Sequence, residues 1–150
     1  MSIEIKQIIF NEENKKLISE LRVKAWKARE PNMSSYNGDM IDKFDVMAEH
    51  YAAFDKDKML AAARINIAYQ QSEIPDYKTF VSVLQNNTNW PISIFSRLVV
   101  HVDYGGFGIP KMLRAPRDEI ARKAGCKKML LWSRTAKKPH KSLIDEGFVL

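Results

Sequence analysis

The sequence is poor in cysteine and has no long hydrophobic run. A single cysteine, Cys126, excludes an internal disulfide and a cysteine-based metal cluster. No apolar stretch approaches the roughly 18 residues that a membrane span needs. No apolar run follows a basic N-terminus, so a signal peptide is not expected. We therefore predict a cytoplasmic protein without a membrane span, in which Cys126 is a buried structural thiol.

Acidic residues are scarce in the second half of the chain. Residues 97–150 contain 12 Lys and Arg against 5 Asp and Glu, a net charge of +7, whereas residues 1–96 have a net charge of −1. This excess indicates an anionic partner, namely a nucleotide cofactor, an acidic carrier protein or nucleic acid, or else a solvated basic helix face. No basic patch is interleaved with aromatic residues, so we do not expect nucleic acid as the partner.

The 150 residues, 45% of them apolar, predict a single domain over 1–150. Periodicity and turn residues predict a strand at Ile3–Phe10, a helix from the N-cap Asn11 to Arg29, a hairpin of strands at Ala48–Phe54 and Met59–Tyr69, a short helix after Asp76, a strand at Ile92–Val100, a helix at Lys111–Ala124, a strand at Lys127–Trp132, a helix at Lys138–Glu146 and a last strand from Phe148.

This order predicts an α/β fold with a mixed sheet and helices on both faces. The strands Ile92–Val100 and Lys127–Trp132 should be parallel neighbours, because the helix between them makes a right-handed crossover. That helix contains Pro116, which should either bend it or mark its true start near Ala115.

The glycines are few and unevenly placed. Of the six in the chain, Gly105, Gly106 and Gly108 fall within four positions, directly after the apolar strand Ile92–Val100. A strand, a glycine turn and a helix start aim several backbone N–H groups at one point, where the helix dipole is positive. Such an arrangement favours a phosphate, although a glycine-rich turn without a ligand is the alternative.

The stretch from Leu98 to Pro110 resembles the acyl-CoA-binding segment of the GNAT superfamily of N-acyltransferases. The resemblance implies the GNAT fold and acetyl-CoA or another acyl-CoA as cofactor, with loop N–H groups on the CoA pyrophosphate and strand groups along the pantetheine. The cofactor-binding residues that it implies are Leu98, Val99, Val100, Gly105, Gly106, Phe107, Gly108, Ile109 and Lys111. Two residues depart from the family pattern. Gly105 stands where the family has Arg or Gln, and Pro110, which lacks an N–H group, stands where it has Gly or Ala.

A second pattern is similar to the acyl-homoserine-lactone synthase and N-acyl amino acid synthase branch of that fold. It consists of Arg22, Trp26, Asp42, Asp45, Arg64, Ser96 and Arg97. Enzymes of this branch often take the acyl chain from acyl carrier protein, which the resemblance makes a possible partner. The Glu that commonly lies two positions before the Ser-Arg pair is Ile94 in this sequence.

Three residues are candidates for catalysis. Asp45 could act as a base through water, like its neighbours Asp42, Glu49 and His50, but the carboxylates could equally cap a helix or turn. Arg97 lies within an apolar strand and needs a partner or a ligand, so a salt bridge to Asp42 or Asp45 is as well supported as a functional role.

The third candidate would replace a catalytic residue that the resemblance predicts but that this sequence lacks. Many GNAT enzymes protonate the leaving thiolate with a tyrosine four positions before the closing glycine, and Leu143 occupies that position. Ser133 is our candidate for this acid, with Ser142, His140 or water as alternatives.

The resemblance therefore predicts transfer of an acyl group from acyl-CoA to the amine of a small molecule. One alternative is an acyl-carrier-protein-dependent N-acyl amino acid or lactone synthase, and another is a catalytically silent protein with the same fold. Family members usually continue with two more strands beyond the closing Gly-Phe, so a partner chain in a homodimer could complete the sheet.

Overall fold

The computed structural model describes residues 1–84, 89–132, 143–145 and 147–148. Five strands and four helices are formed within these ranges, together with single 3-10 turns at Pro31–Met33, Gln71–Glu73 and Val102–Tyr104. The strands are β1 (Ile3–Ile8), β2 (Glu49–Asp55), β3 (Lys58–Ala68), β4 (Ile92–Val100) and β5 (Lys128–Leu131). The helices are α1 (Glu12–Arg29), α2 (Lys43–Met47), α3 (Tyr77–Leu84) and α4 (Ile109–Lys123).

The strands form one mixed sheet in the order β1-β2-β3-β4-β5. The first three pairings are antiparallel, and β2 and β3 form the predicted hairpin. β4 and β5 are parallel neighbours joined by α4, with pairings from Ile92–Lys128 to Phe95–Leu131. This confirms the predicted crossover.

Helices cover both faces of the sheet, as the sequence predicts. Alternation along β2 and β3 sends Ala52 and Ala62 to one face, where they pack with Ile18, Leu21 and Ala25 of α1. The neighbouring residues of each strand point to the other side of the sheet, where they face α4. The core on this second side contains Tyr51, Ala53, Ala61, Ala63, Ile65, Phe95, Ile109, Leu113 and Ala121. The many alanines of β2 and β3 keep both faces flat enough for a helix to pack closely.

Local sequence signals set the ends of α1. The Asn11 side-chain oxygen accepts a hydrogen bond from the Asn14 N–H at 2.9 Å, so Asn11 is the N-cap that the sequence predicts. Glu12 and Glu13 lie in the first turn, where the helix dipole favours negative charge. The helix ends at Arg29, just before Pro31.

Helix α4 begins earlier than the sequence suggests. It runs without interruption from Ile109 to Lys123 and includes Pro116, so a start near Ala115 is wrong. Pro116 has no N–H to give to the Met112 carbonyl, yet Leu113 and Arg117 on either side are buried against the sheet. Tertiary packing therefore holds the helix through a residue that would end an isolated one.

The end of the chain is described only in part. Residues 143–145 are helical, within the predicted helix Lys138–Glu146. The remainder of that helix and most of the predicted strand from Phe148 lie outside the described residues. Within the described ranges, no helix is both long enough and apolar enough to cross a membrane.

Candidate active site

Strand β4 has a free edge on the side of β5. The pairing with β5 ends at Phe95, although β4 continues for five more residues to Val100. The His101 N–H donates to the Leu60 carbonyl of β3 at 2.7 Å, so alternation turns the N–H and C=O groups of Val100 away from β3. None of the described residues pairs with this part of β4 on that side. The described part of the chain thus leaves a gap beside β4 beyond Phe95, in which an extended ligand can lie.

A β-bulge marks the place where the gap begins. The register between β3 and β4 shifts between Ala62 and Arg64, and two residues of β4, Arg97 and Leu98, lie opposite one residue of β3. The φ of Arg97, 54°, lies in the left-handed region, which costs a non-glycine residue free energy and therefore needs support from its surroundings. The bulge bends β4 and separates its second half from the line of β5.

The glycine turn connects this edge to the start of α4. Gly106 (φ 83°) and Gly108 (φ 74°) have positive φ values, and Gly108 is the N-cap of α4. A Cβ atom built on Gly105, Gly106 or Gly108 would meet nothing within 4 Å, so the backbone of the turn is open to an approaching ligand. Pro110 lies in the first turn of α4, where its missing N–H removes one of the donors without an acceptor inside the helix.

The predicted cofactor residues follow one another along this path from β4 through the glycine turn to the start of α4. Leu98 and Phe107 are 38% and 52% exposed. Lys111 is also exposed and Val100 is half-buried. The side chains of Val99 and Ile109 are buried in the two cores, so only their backbone groups can take part in binding. The geometry is compatible with all nine predicted residues, and their binding role stays a prediction.

A buried ion-pair cluster lies on the α1 side of the bulge. Arg22 holds Asp45 with two parallel hydrogen bonds, Nη1 to Oδ2 at 2.9 Å and Nη2 to Oδ1 at 2.8 Å. Arg64 donates through Nη1 to Asp45 at 2.9 Å and to Asp42 at 2.7 Å. Arg22, Asp45 and Arg64 are 2%, 0% and 0% exposed, so solvent screens these pairs very little.

Arg97 and Asp42 are the accessible members of the cluster. Arg97 donates through Nη2 to Asp42 at 3.1 Å, and the two side chains are 32% and 30% exposed. Arg64 donates through Nε to the Ser96 hydroxyl at 2.9 Å, which ties the cluster to β4 just before the bulge. The predicted salt bridge between Arg97 and Asp42 is therefore present, and it supports the strained backbone of Arg97.

The two aspartates also cap α2. The Asp42 side chain accepts from the Phe44 N–H, and the Asp45 side chain accepts from the Asp42 N–H, forming a capping box. Burial alone would raise the pKa of Asp45, but the hydrogen bond and charge of Arg22 outweigh it and hold the pKa well below its usual range. The geometry thus favours capping over catalysis for Asp45, because a fully buried carboxylate with this pKa is a poor proton acceptor.

The cluster has more positive than negative charge. Three guanidinium groups meet two carboxylates, and each guanidinium has one buried nitrogen without a hydrogen-bond acceptor among the described residues: Nε of Arg22, Nη2 of Arg64 and Nε of Arg97. Unpaired buried donors are costly. The cluster thus has more donors than acceptors, and Arg97 and Asp42 are its members nearest to solvent.

The other candidate bases have structural contacts. His50 is 2% exposed, stacks on the Phe10 ring at 4.6 Å, and has its Nε2 2.8 Å from the Asp45 carbonyl oxygen. Burial lowers the pKa of His50, so the imidazole is neutral at neutral pH. Glu49 is exposed and accepts a hydrogen bond from the Gln7 amide.

The candidate acids are outside the described part of the chain. This is the case for Ser133, Ser142 and His140, so the structure does not locate the predicted proton donor. Leu143 is described, and it is half-buried. In the described ranges, no group of three His, Cys, Asp or Glu side chains could hold a metal ion.

Comparison with solved structures identifies the architecture. A ribosomal-protein-alanine N-acetyltransferase from Brucella melitensis superposes with a TM-score of 0.64 at 14% identity, over 99% of this chain and 92% of that one. A GCN5-related N-acetyltransferase from Ralstonia eutropha gives 0.66 at 12% identity, over 99% and 94%. An aminoglycoside acetyltransferase from an uncultured soil metagenomic sample gives 0.67 at 16% identity, over 100% and 93%.

The chain has the GNAT acetyltransferase fold. The predicted fold class is therefore confirmed over nearly the whole length of the chain. No protein-family model and no curated protein matches the sequence. None of the three structures above is an acyl-homoserine-lactone synthase, so that branch of the GNAT fold stays a prediction.

One buried charged residue of this chain was not predicted from the sequence. Arg117 is 3% exposed and lies between α4 and the sheet. It falls at helical spacing from Leu113 and Ala121, both of which are buried. An arginine in the middle of an apolar helical stripe was the signal that could have singled it out.

Proposed function

We propose that this protein is an N-acyltransferase that moves an acyl group from acyl-CoA to the amine of a small molecule. The observation that carries the proposal is the continuity between the free edge of β4 and the open glycine turn. The edge offers extended backbone groups to the amides of a pantetheine arm, and the turn offers N–H groups and a helix N-terminus to its pyrophosphate. The pantetheine arm and the pyrophosphate of CoA thus both meet backbone groups that can hydrogen-bond to them.

The reaction requires few groups from the protein. The unprotonated amine attacks the thioester carbonyl carbon, the C–N bond forms, the C–S bond breaks, and the amine proton passes to the departing thiolate, directly or through water. A backbone N–H of β4 near the bulge supplies the donor for the oxyanion. We assign Arg97, beside the bulge, to orienting the acceptor, and the buried Asp45 to holding Arg22 and Arg64 in place.

The name of one structural relative supports a small amine as the acceptor. That relative is an aminoglycoside acetyltransferase, whereas another is named for an alanine of a ribosomal protein. The half-buried Arg97 and Asp42 lie at the bulge where the gap begins, and as a cation and an anion they can bind polar groups of an acceptor.

A mass-spectrometric screen tests the proposal. The protein is incubated with acetyl-CoA and longer acyl-CoA thioesters over a panel of amines, and products are identified by the mass of the added acyl group. We expect at least one amine to be acylated and CoA to raise the melting temperature. No acylation and no thermal shift with any CoA thioester would contradict the proposal and favour a catalytically silent protein of the same fold.

The charge excess of the ion-pair cluster favours a second candidate, a carrier-protein-dependent N-acyl amino acid synthase. Its acceptor would present a carboxylate to the guanidinium of Arg97, the cation of the cluster nearest to solvent. Its acidic carrier protein would be attracted by the +7 charge of residues 97–150.

The same screen separates the two candidates when acyl carrier protein is added as a donor and amino acids are paired with their carboxamides. Transfer from the carrier protein to an amino acid, but not to its carboxamide, supports the second candidate. Transfer from acyl-CoA to amines regardless of a carboxylate supports the first.

A further inference from the structure

Arg117 is a buried cation that has no ion-pair partner among the described residues. Its Nε donates to the Leu113 carbonyl at 2.9 Å, its Nη1 donates to the Arg64 carbonyl at 3.4 Å, and its guanidinium carbon lies 4.7 Å from the centre of the Phe95 ring. No carboxylate of the described residues forms an ion pair with it, and the neighbouring Asp118 pairs with Arg114. Its partners are therefore two backbone carbonyls and an aromatic face.

These contacts all lie where β4 leaves β5. Phe95 is the last residue of β4 that pairs with β5, and Arg64 is the residue of β3 that follows the register shift. Arg117 thus connects α4 to the end of the gap at Phe95, which we call the closed end. The glycine turn at the N-terminus of the same helix lies at the opposite, open end.

Stability does not explain an arginine at this position. Burial, with the nearby charge of Arg114, lowers the pKa of Arg117 to about 10, so keeping it charged costs free energy. An apolar side chain of similar volume often serves a buried site equally well or better. What the position of Arg117 does provide is contact with the Arg64 carbonyl and the Phe95 ring, at the place where β4 leaves β5.

We propose that Arg117 is a positioning residue that fixes the closed end of the β4–β5 gap, so that the acyl thioester lies correctly against the bulge. It acts through the Arg64 carbonyl and the Phe95 ring, and it does not touch the acyl donor. This inference rests on the proposed acyl transfer only for its kinetic consequence, because the structural consequence is measurable without activity.

The test compares Arg117→Met, which removes the charge and both hydrogen bonds, with Arg117→Lys, which keeps the charge. In Arg117→Met we expect faster amide hydrogen exchange at 96–101, unchanged exchange in β1 and β2, and a melting temperature that is equal or higher. We expect kcat for acyl transfer to fall by about 100-fold with little change in KM for acyl-CoA, since the phosphates bind at the other end of the gap. Arg117→Lys should recover part of the loss in kcat.

Two results would overturn the inference. One is unchanged exchange at 96–101 together with wild-type kcat in both variants. The other is faster exchange across the whole sheet with a lower melting temperature in both variants, which would show that Arg117 serves only to hold the fold. If the wild type transfers no acyl group, the proposed function fails, and the exchange data alone still decide whether Arg117 fixes the gap.

Discussion

At the scale of single residues, the buried cluster around Asp45 has the largest consequences, because Arg22 and Arg64 both depend on this carboxylate. Arg22, Asp42, Asp45, Arg64 and Arg97 could be chosen because charges within apolar patterns need partners. Which carboxylate meets which guanidinium depends on the bulge in β4 and on the start of α2, and both are set by tertiary packing. Arg117 lies at helical spacing from Leu113 and Ala121, and this spacing is a signal for burial but does not show what the guanidinium contacts.

Replacing Asp45 by Asn should strongly destabilise the protein. The change leaves Arg22 and Arg64 buried with one carboxylate fewer, and breaking a buried pair in this way costs about 3–5 kcal/mol. Urea denaturation of the variant measures the loss. Glu4→Gln removes an exposed pair with Lys6 and is the control, with an expected change below about 1 kcal/mol. Equal effects of the two changes would contradict the structural role of Asp45.

The ion pair between Asp45 and Arg22 also predicts how the stability of the protein depends on pH. The pKa of Asp45 in the folded protein lies below its ordinary value of 3.8, so its contribution is complete above that pH and is lost as the pH falls below it. Wild-type stability should therefore decrease steeply in acid, and the Asp45→Asn variant should show a smaller decrease. Parallel pH profiles of the two proteins in urea denaturation would show that the pair contributes no such stability.

At the scale of elements, the strand, turn and helix around the glycines were predictable because their signals are local. Apolar runs, three clustered glycines and a following amphipathic pattern specify this unit without reference to the remainder of the chain. The exact start of α4 was not predictable in this way. Pro116 is a strong local signal for a helix boundary, and packing of Leu113 and Arg117 against the sheet overrides it.

Restoring the usual arginine at Gly105 should strengthen CoA binding. Gly105 has φ −66° and ψ 146°, which any residue adopts, and a Cβ atom there meets nothing within 4 Å. One new hydrogen bond to a charged group contributes about 1.5–3 kcal/mol, which corresponds to roughly a 10-fold to 100-fold lower Kd. Calorimetry of wild type, Gly105→Arg and the control Gly105→Ala makes the comparison. Weaker binding by Gly105→Arg would place the phosphates elsewhere.

At the scale of the whole molecule, the sequence predicted the α/β class and the mixed sheet with helices on both faces. The width of the gap beyond Phe95 was not predictable, because it depends on how far β5 follows β4. The charge distribution was readable from the sequence alone, and the positive half of the chain is the half that contains the glycine turn.

This distribution predicts that CoA binding weakens strongly with salt. Long-range attraction by Lys111 and the other cations of residues 97–150 replaces part of the hydrogen bonding lost at Gly105 and Pro110. We expect the affinity of the wild type to fall markedly between low and high salt, and that of Pro110→Gly, which regains an N–H donor, to be higher at both. Submicromolar binding by the wild type that Pro110→Gly does not change would contradict this explanation.

The central claim is that the glycine turn before α4 binds the phosphates of CoA, and calorimetric titration of CoA into Gly108→Val tests it most directly. Gly125→Val is the matched control, because Gly125 (φ 81°) has the same backbone conformation beyond the other end of α4. Both variants should lose similar stability. We predict that Gly125→Val binds CoA like the wild type and that Gly108→Val does not bind measurably. Equal CoA affinity in the two variants would contradict the claim.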